Sequence, residues 1–253
     1  MIHPLQLLPL AITAAEAASN EILHIYNTND FQTELKGDNS PLTIADKRAH
    51  NAIASILQST NLPILSEEGK AIPYEDRNDW EYFWMVDPLD GTKEFLKRND
   101  EFTVNIALIH NNKPVLGVVA VPVTGDIYFA VDNQAFLKRG GKEQKLPHRG
   151  RIDLTKASLR VVASRSHMDD NTKNFIDHLH NPSIVSAGSS LKFMMLAEGT
   201  ADVYPRYAPT MEWDTAAAHA IVNAVGLKVI QQGLAEEIIY NKESLLNPGF
   251  LVN

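Results

Sequence analysis

The pattern of apolar and polar residues predicts two helices at the start of the chain, separated by a loop. Apolar residues recur at helical spacing over residues 5–26, which predicts a long amphipathic helix packed on a core. Residues 27–41 are polar and rich in turn formers, so we expect an exposed loop there. A second helix is predicted to about Ser59, and Thr43 with Asp46 matches a capping box at its start. Helix capping alone is enough to explain Thr43 and Asp46.

Short apolar segments separated by turn residues predict a sheet in the next part of the chain. Residues 63–65 and 82–86 have the length and composition of buried strands. Four more segments predict an antiparallel meander, namely residues 104–109, 114–121, 127–131 and 135–138. The polar residues 140–156 are expected to form a loop at a lobe boundary.

Beyond that loop, strand and helix patterns alternate. The predicted elements are a strand at 159–163, a helix at 170–179, a strand at 184–186, a helix at 191–198, a strand at 201–204, a helix at 215–225 and a strand at 227–230. This order predicts an α/β lobe over residues 151–253 beside an α+β lobe over residues 1–150.

Two carboxylates follow the predicted strand 82–86, which we expect to end there. Asp87 and Asp90 flank Pro88 and Leu89, and Gly91 then permits a tight turn. Like charges held close together repel unless a cation neutralises them, and oxygen ligands suit Mg2+. The alternative is that both acids only terminate a strand and a turn.

Other acids in the chain are candidates for completing such a metal site. Glu67 and Glu68 follow the strand 63–65, although adjacent acids after a strand usually belong to a solvated loop. Asp214 is expected at the N-cap of an alanine-rich helix, where capping alone accounts for it. His219 in that helix is expected to be packed or hydrogen-bonded rather than to bind a metal.

Composition excludes several classes of protein. The 253-residue chain has no cysteine, which excludes disulfides, thiolate nucleophiles and Cys-ligated metals. Its net charge of −8 argues against broad nucleic-acid binding. Residues 5–18 superficially resemble a signal sequence, but no Lys or Arg precedes them, and no run is long and apolar enough to span a bilayer. We therefore expect a cytoplasmic protein without an integral membrane segment.

Three separated motifs together resemble the signature of the Mg2+-dependent, lithium-sensitive phosphatases of the inositol monophosphatase superfamily. They are Ser66-Glu67-Glu68, Asp87-Pro88-Leu89-Asp90-Gly91-Thr92 and Trp213-Asp214-Thr215-Ala216-Ala217. Further segments are similar to the 3'(2'),5'-bisphosphate nucleotidases of the CysQ type, namely Lys93-Glu94-Phe95, Ser164-Arg165-Ser166-His167, Gly188-Ser189-Ser190-Leu191-Lys192-Phe193 and Tyr204-Pro205-Arg206. The resemblance implies a layered αβαβα sandwich. It also implies removal of the 3'-phosphate from 3'-phosphoadenosine 5'-phosphate, a by-product of sulfate assimilation.

The resemblance also implies roles for individual residues. One Mg2+ would be held by Glu67, Asp87 and the Leu89 carbonyl, and a second by Asp87, Asp90 and Asp214, with a third in some relatives. Thr92 and Asp46 would position and deprotonate the attacking water, with Glu67 also in the catalytic set. The implied substrate-binding residues are Glu67, Leu89, Asp90, Gly91, Thr92, Ser164, His167, Ser189, Lys192, Arg206 and Asp214.

Several alternatives stay open on the sequence alone. Gly69 stands where relatives commonly have an acid, and the segment around Met211-Glu212 is variable. One alternative is phosphatase activity on inositol monophosphate or fructose 1,6-bisphosphate. The other is a protein that binds a metal or a nucleotide without catalysis. The resemblance implies peripheral contact with the cytoplasmic face of the inner membrane, but no cationic amphipathic helix favours it. Monomer and dimer are equally compatible with the pattern.

Overall fold

The N-terminal helices form one outer layer of the molecule. The structure is a computed structural model that describes residues 2–28, 31, 33–35, 41–163 and 168–253. Helices α1 (Pro4–Thr28) and α2 (Ile44–Leu57) pack on each other and on the central sheet. The capping box of Thr43 and Asp46 at the start of α2 is confirmed.

The sequence predicted a loop between these helices, but part of this segment forms strands. Strands β1 (Glu34–Leu35) and β2 (Pro41–Leu42) form a short antiparallel pair there. Because pairing of two residues per strand leaves almost no apolar pattern, composition alone favoured a loop. Residues 29–30, 32 and 36–40 lie outside the described residues.

A seven-stranded sheet forms the second layer. Its strands, in spatial as well as chain order, are β3 (Ile64–Ser66), β4 (Tyr82–Asp90), β5 (Thr103–His110), β6 (Lys113–Val121), β7 (Asp126–Val131), β8 (Gln134–Arg139) and β9 (Lys142–Lys145). Within this sheet only β3 and β4 pair in parallel, the other neighbours pair antiparallel, and β5 to β8 form the predicted meander. The prediction of a loop over residues 140–156 is wrong at β9. This strand consists of polar residues and pairs with β8 in a hairpin, so no apolar pattern marked it.

Strand β4 does not end before the acids, contrary to expectation. It continues through Asp87 to Asp90, with a register shift against β5 between these two residues. The sequence could not show this extension because its hydrogen-bonding partner lies on another strand. Short helix α3 (Thr92–Lys97) follows at once, so the acids occupy a strand-to-helix junction.

The second half of the chain supplies the remaining three layers. Its elements are β10 (Arg160–Val162), α4 (Asp170–Asp177), β11 (Ser183–Val185), α5 (Leu191–Glu198), β12 (Tyr204–Arg206), α6 (Glu212–Ala224), β13 (Val229–Gln231) and β14 (Phe250–Val252). β14 pairs with β12 and β13, and a bridge from Val161 to Val203 connects the parallel pair β10–β11 to them. The strand predicted at 201–204 begins three residues and ends two residues before β12, and β14 was not predicted.

Helices α5 and α6 lie between the two sheets, and α4 packs on the far side of the smaller one. This order confirms the αβαβα sandwich. Gly117 on β6 explains the close approach of α6, since a side chain there would collide with the Ala217 carbonyl. The division into lobes 1–150 and 151–253 stays a prediction.

The two faces of β4 serve different cores. Phe83 and Met85 pack toward α5 and α6, whereas Trp84 and Val86 pack toward α1 and α2. Both faces are buried, which is why the sequence shows an unbroken apolar run. Because side chains alternate along a strand, Asp87 follows Phe83 and Met85 onto the face covered by α6.

Candidate metal centre and substrate cleft

Three carboxylates from distant parts of the chain converge beside β4. Glu67 follows β3, Asp87 lies on β4, and Asp214 lies in the first turn of α6. One carboxylate oxygen from each lies within 4.8 Å of the others. The Glu67 amide donates to the Val86 carbonyl at 3.1 Å, which continues the parallel pairing and brings the two acids to the same edge.

Asp214 reaches this cluster from a helical position that differs from the one expected. Met211, not Asp214, is the N-cap of α6, and the Met211 amide donates to Asp214 Oδ2 at 2.8 Å. An acid at the third helical position can satisfy the cap amide by reaching back. The expectation that Asp214 is the N-cap was therefore wrong, although its carboxylate does help to cap the helix.

Asp90 lies next to the three-carboxylate group but outside it. Its Oδ2 accepts hydrogen bonds from Ser189 Oγ at 2.6 Å, from Ser190 Oγ at 3.1 Å and from Asn105 Nδ2 at 3.4 Å. Its negative charge raises the pKa of both Asp87 and Asp214. The four predicted acids therefore lie close enough for their charges to interact, namely Glu67, Asp87, Asp90 and Asp214.

The crowding of these acids is visible in their pKa values. Burial raises the pKa of Asp87 well above its ordinary range, and the charges of Glu67, Asp90 and Asp214 raise it further. Burial followed by the charge of Asp90 raises the pKa of Asp214 to about 8. A divalent cation would remove this repulsion, and a set of oxygen donors fits Mg2+ in particular.

Thr92 connects the acidic motif to helix α2. Thr92 Oγ1 lies 3.1 Å from Asp46 Oδ1 and 3.3 Å from the Leu89 carbonyl oxygen, and it can donate to either. The second oxygen of Asp46 accepts from the amide and the hydroxyl of Thr43, at 2.7 and 2.6 Å. Asp46 therefore caps α2 with one oxygen and contacts Thr92 with the other.

Leu89 contributes backbone groups to the same turn. Its amide donates to Asp87 Oδ1 at 3.1 Å, and its carbonyl oxygen is the one that Thr92 approaches. Gly91 follows with a φ of 94°, a conformation that residues with a side chain rarely adopt. The turn therefore places two carboxylates, one carbonyl and one hydroxyl together, as the motif predicted.

A cleft of about 570 Å³ opens beside these groups. Acids and bases share its lining, which includes Asp90, Asp214, Lys97, Lys192 and Arg206. Ser189 and Gly91 also line it, whereas the predicted contacts Ser164 and His167 lie outside the described residues.

Two cations of this lining make few hydrogen bonds to the residues that the structure describes. Lys192 Nζ donates to the Ser189 carbonyl at 3.1 Å, and burial lowers the pKa of this amine. Arg206 donates to the Pro209 carbonyl at 3.3 Å. The buried Nε of Arg206 has no hydrogen-bond partner among the residues that the structure describes. Such an arrangement suits an anionic group of a ligand.

His219 is buried and hydrogen-bonded to Tyr240 and Glu237, which confirms that it is a packed residue.

Asn105, which contacts Asp90, was not predicted from the sequence. An amide inside the apolar run of β5 was the available signal, because a buried polar group needs hydrogen-bond partners.

No helix in the described part of the chain has the length and apolar character required to cross a membrane.

Comparison with known proteins gives one consistent relationship. The model of the inositol monophosphatase family matches residues 4–248. The chain is 44% identical to 3'(2'),5'-bisphosphate nucleotidase CysQ of Escherichia coli K12 over 244 residues, covering 94% of this chain and 96% of that protein. It is 32% identical to the CysQ of Haemophilus influenzae, covering 92% and 88%. The crystal structure of CysQ from Bacteroides thetaiotaomicron superposes with a TM-score of 0.85 at 48% identity, covering 96% and 95%. This chain belongs to the inositol monophosphatase family.

Proposed function

We propose that the chain is a Mg2+-dependent 3'(2'),5'-bisphosphate nucleotidase that converts 3'-phosphoadenosine 5'-phosphate to AMP and phosphate. The observation that carries the proposal is the convergence of Glu67, Asp87 and Asp214, with Asp90 beside them, in a family member 44% identical to CysQ nucleotidases. The reaction would clear a by-product of sulfate assimilation. We place the reaction in the cytoplasm.

The acids are proposed to act by holding cations. Glu67, Asp87 and the Leu89 carbonyl would hold one Mg2+, and Asp87, Asp90 and Asp214 a second. Bound Mg2+ would lower the pKa of water and stabilise the negative charge that develops on the phosphoryl and leaving oxygens. The raised pKa values of Asp87 and Asp214 are consistent with this assignment, because burial and then repulsion among the acids raise them, and a cation would relieve the repulsion.

Thr92 and Asp46 are proposed to prepare the attacking water. When Thr92 donates its hydrogen to Asp46, the lone pairs of the hydroxyl are left to accept a hydrogen bond from water. Asp46 is the carboxylate at the end of this short relay, so the proton would move toward it. Thr43 holds the other Asp46 oxygen, which restricts the carboxylate to one orientation.

The phosphate that does not react would bind the cationic part of the cleft. Lys192 and Arg206 line the cleft and have donors available. The hydroxyl of Ser189 and the backbone of Gly91 are proposed to contact the substrate as well. Ser164 and His167 complete the proposed nucleotide contacts. An inositol monophosphate has no second phosphate for Lys192 and Arg206, so its hydrolysis should be slower.

A substrate comparison tests the proposal. Phosphate release would be measured from 3'-phosphoadenosine 5'-phosphate, inositol 1-phosphate and fructose 1,6-bisphosphate, in Mg2+ with and without Li+. We expect kcat/KM for the nucleotide to exceed the others by about 100-fold or more, with inhibition by Li+. Preference for a sugar phosphate would support the alternative phosphatase activities, and failure to hydrolyse any of them would support a binder without catalysis.

A further inference from the structure

Two polar side chains are buried inside strand β5, directly beside the acidic motif. Thr103 and Asn105 are 0% and 1% exposed, in a strand that is otherwise mostly apolar. The register of the sheet places Asn105 opposite Asp87 and Thr103 opposite Asp90. Burying an amide is costly unless it is hydrogen-bonded, so the partners of Asn105 indicate what it does.

The orientation of the Asn105 amide follows from its contacts. Its Oδ1 lies 3.2 Å from Thr103 Oγ1, and its Nδ2 points the other way. Nδ2 lies 3.0 Å from Ser190 Oγ and 3.4 Å from Asp90 Oδ2. The reverse orientation would place a carbonyl oxygen against a carboxylate, which the repulsion between the two disfavours.

Ser190 connects the two acids that come from different halves of the chain. Because its Oγ accepts from Asn105, its hydrogen is free to donate to Asp90 Oδ2 or to the Asp214 carbonyl, each 3.1 Å away. The first acceptor lies at the end of β4 and the second in the first turn of α6. Asn105 and Ser190 therefore join these elements where the metal centre is proposed.

Ser189 completes the arrangement. Its φ of 49° is rare for a residue with a side chain, and its hydroxyl donates to Asp90 Oδ2 at 2.6 Å. Ser189 and Asn105 thus donate to Oδ2 of Asp90, and the Ser190 hydroxyl lies within hydrogen-bond distance of the same oxygen. Oδ1 of Asp90 accepts no hydrogen bond from the residues described, so one oxygen is fixed by the protein while the other is left for a cation.

We propose that Asn105 is a positioning residue that, together with Ser190, sets the Mg2+ affinity of the site by fixing Asp90 relative to Asp214. The proposal rests on the proposed metal-dependent function. Residues that hydrogen-bond to metal ligands restrict those ligands to productive orientations, and their loss weakens binding without removing any ligand.

The test compares Asn105→Leu, Ser190→Ala and the double variant with the wild-type protein. Mg2+ binding would be measured by calorimetry, and kcat would be measured at increasing Mg2+. We expect each single variant to raise the Kd for Mg2+ by about 10- to 100-fold, with kcat near wild type once Mg2+ is saturating. Because both residues act through one network, the double variant should lose less than the product of the single effects.

Asn223→Ala is the matched control. Asn223 is a partly buried amide of α6 that donates to Glu237 at 2.7 Å, at the end of the helix away from Asp214. It should lower the melting temperature and leave the Kd for Mg2+ unchanged. If Asn105→Leu does not fold, Ser190→Ala removes only one oxygen and carries the test.

Four results distinguish the possibilities. Wild-type Mg2+ affinity in both folded single variants would overturn the positioning role, as would a loss of kcat at saturating Mg2+ with an unchanged Kd. A Kd shift no larger than that of Asn223→Ala would overturn it as well. A wild-type protein that binds no Mg2+ would instead overturn the proposed function.

Discussion

At the scale of single residues, two acids of the candidate site each have both a capping contact and a contact within the site. Asp46 and Asp214 each hydrogen-bond to a helix cap, which is the simpler interpretation of an acid near a helix start. Each also reaches the candidate site with its carboxylate. The motif predicted that Glu67, Asp87 and Asp214 come together, and the fold does bring them together. Contacts such as that of Asn105 with Asp90 depend on strand register, which a single sequence does not show.

Asp87 is the acid whose loss should be most damaging to turnover. Asp87→Asn removes a negative charge proposed to contact both cations, so kcat should fall by about 100-fold or more while the protein still folds. Phosphate release and circular dichroism would measure the two effects. Asp132→Asn, a change at an exposed acid in the β7–β8 turn, should leave both unchanged. Retained activity at saturating Mg2+ would contradict the assignment of Asp87.

Lys192 should affect substrate binding more than chemistry. Lys192→Ala removes a cation proposed to hold the phosphate that does not react, so KM should rise about tenfold with a smaller change in kcat. Steady-state kinetics with 3'-phosphoadenosine 5'-phosphate would measure both. Lys142→Ala on the exposed strand β9 is the control. An unchanged KM would remove Lys192 from the proposed site.

At the scale of elements, local sequence predicted the helices well and the ends of several strands poorly. α1 and α2 follow from apolar periodicity and α2 from its capping box, because these signals lie within one segment. The extension of β4 to Asp90 depends on pairing with β5. The start of α6 was missed because Met211 is a poor N-cap by type and is satisfied by an acid three residues later.

The first turn of α6 is held by a buried carboxylate that should matter for stability. Glu212 is fully buried and accepts from the amides of Asn241 and Lys242 at 2.5 and 3.0 Å, and it pairs with the Lys242 amine. Glu212→Gln should lower the free energy of unfolding by about 2 kcal/mol or more, because charged hydrogen bonds are lost in a buried setting. It should also weaken Mg2+ binding, since Asp214 lies in the same turn.

Urea denaturation and Mg2+ titration would measure these two effects of Glu212→Gln. Glu243→Gln, at a neighbouring exposed position, is the matched control and should change neither. A Glu212→Gln protein as stable as wild type would show that this carboxylate does not secure α6.

At the scale of the whole molecule, the layered fold explains how distant acids meet. Asp87 lies on β4 and Glu67 directly follows its parallel neighbour β3, and α6 carries Asp214 from the second half of the chain onto the same face of the sheet. Alternation of strands and helices predicted an α/β second lobe, whereas the layered sandwich was implied by the family resemblance. Helix α6 can cross the central sheet because Gly117 leaves room for the Ala217 backbone. Composition alone could not predict this close contact between β6 and α6.

The cost of assembling these acids should appear as an unusual pH dependence of stability. In metal-free protein the pKa of Asp214 is raised from 3.8 to about 8, so the folded state binds protons that the unfolded state has released. Stability should therefore fall as pH rises from about 4 to about 8, and Mg2+ should restore it. Melting temperatures with EDTA and with Mg2+ would measure this.

Asp214→Asn provides the comparison for the pH prediction. It should make the metal-free protein less sensitive to pH over this range, because the group that resists ionisation is gone. It should also reduce the stabilisation by Mg2+. A metal-free wild-type protein whose melting temperature rises steadily between these pH values would contradict the crowding of the carboxylates.

Locating the bound cations would test directly whether these acids bind metal. Anomalous diffraction from crystals soaked in Mn2+, a substitute for Mg2+ with oxygen ligands, would show where cations bind. We predict one peak ligated by Glu67, Asp87 and the Leu89 carbonyl, and another ligated by Asp87, Asp90 and Asp214. Peaks elsewhere, or none at saturating Mn2+, would contradict the central claim that these acids form a metal centre.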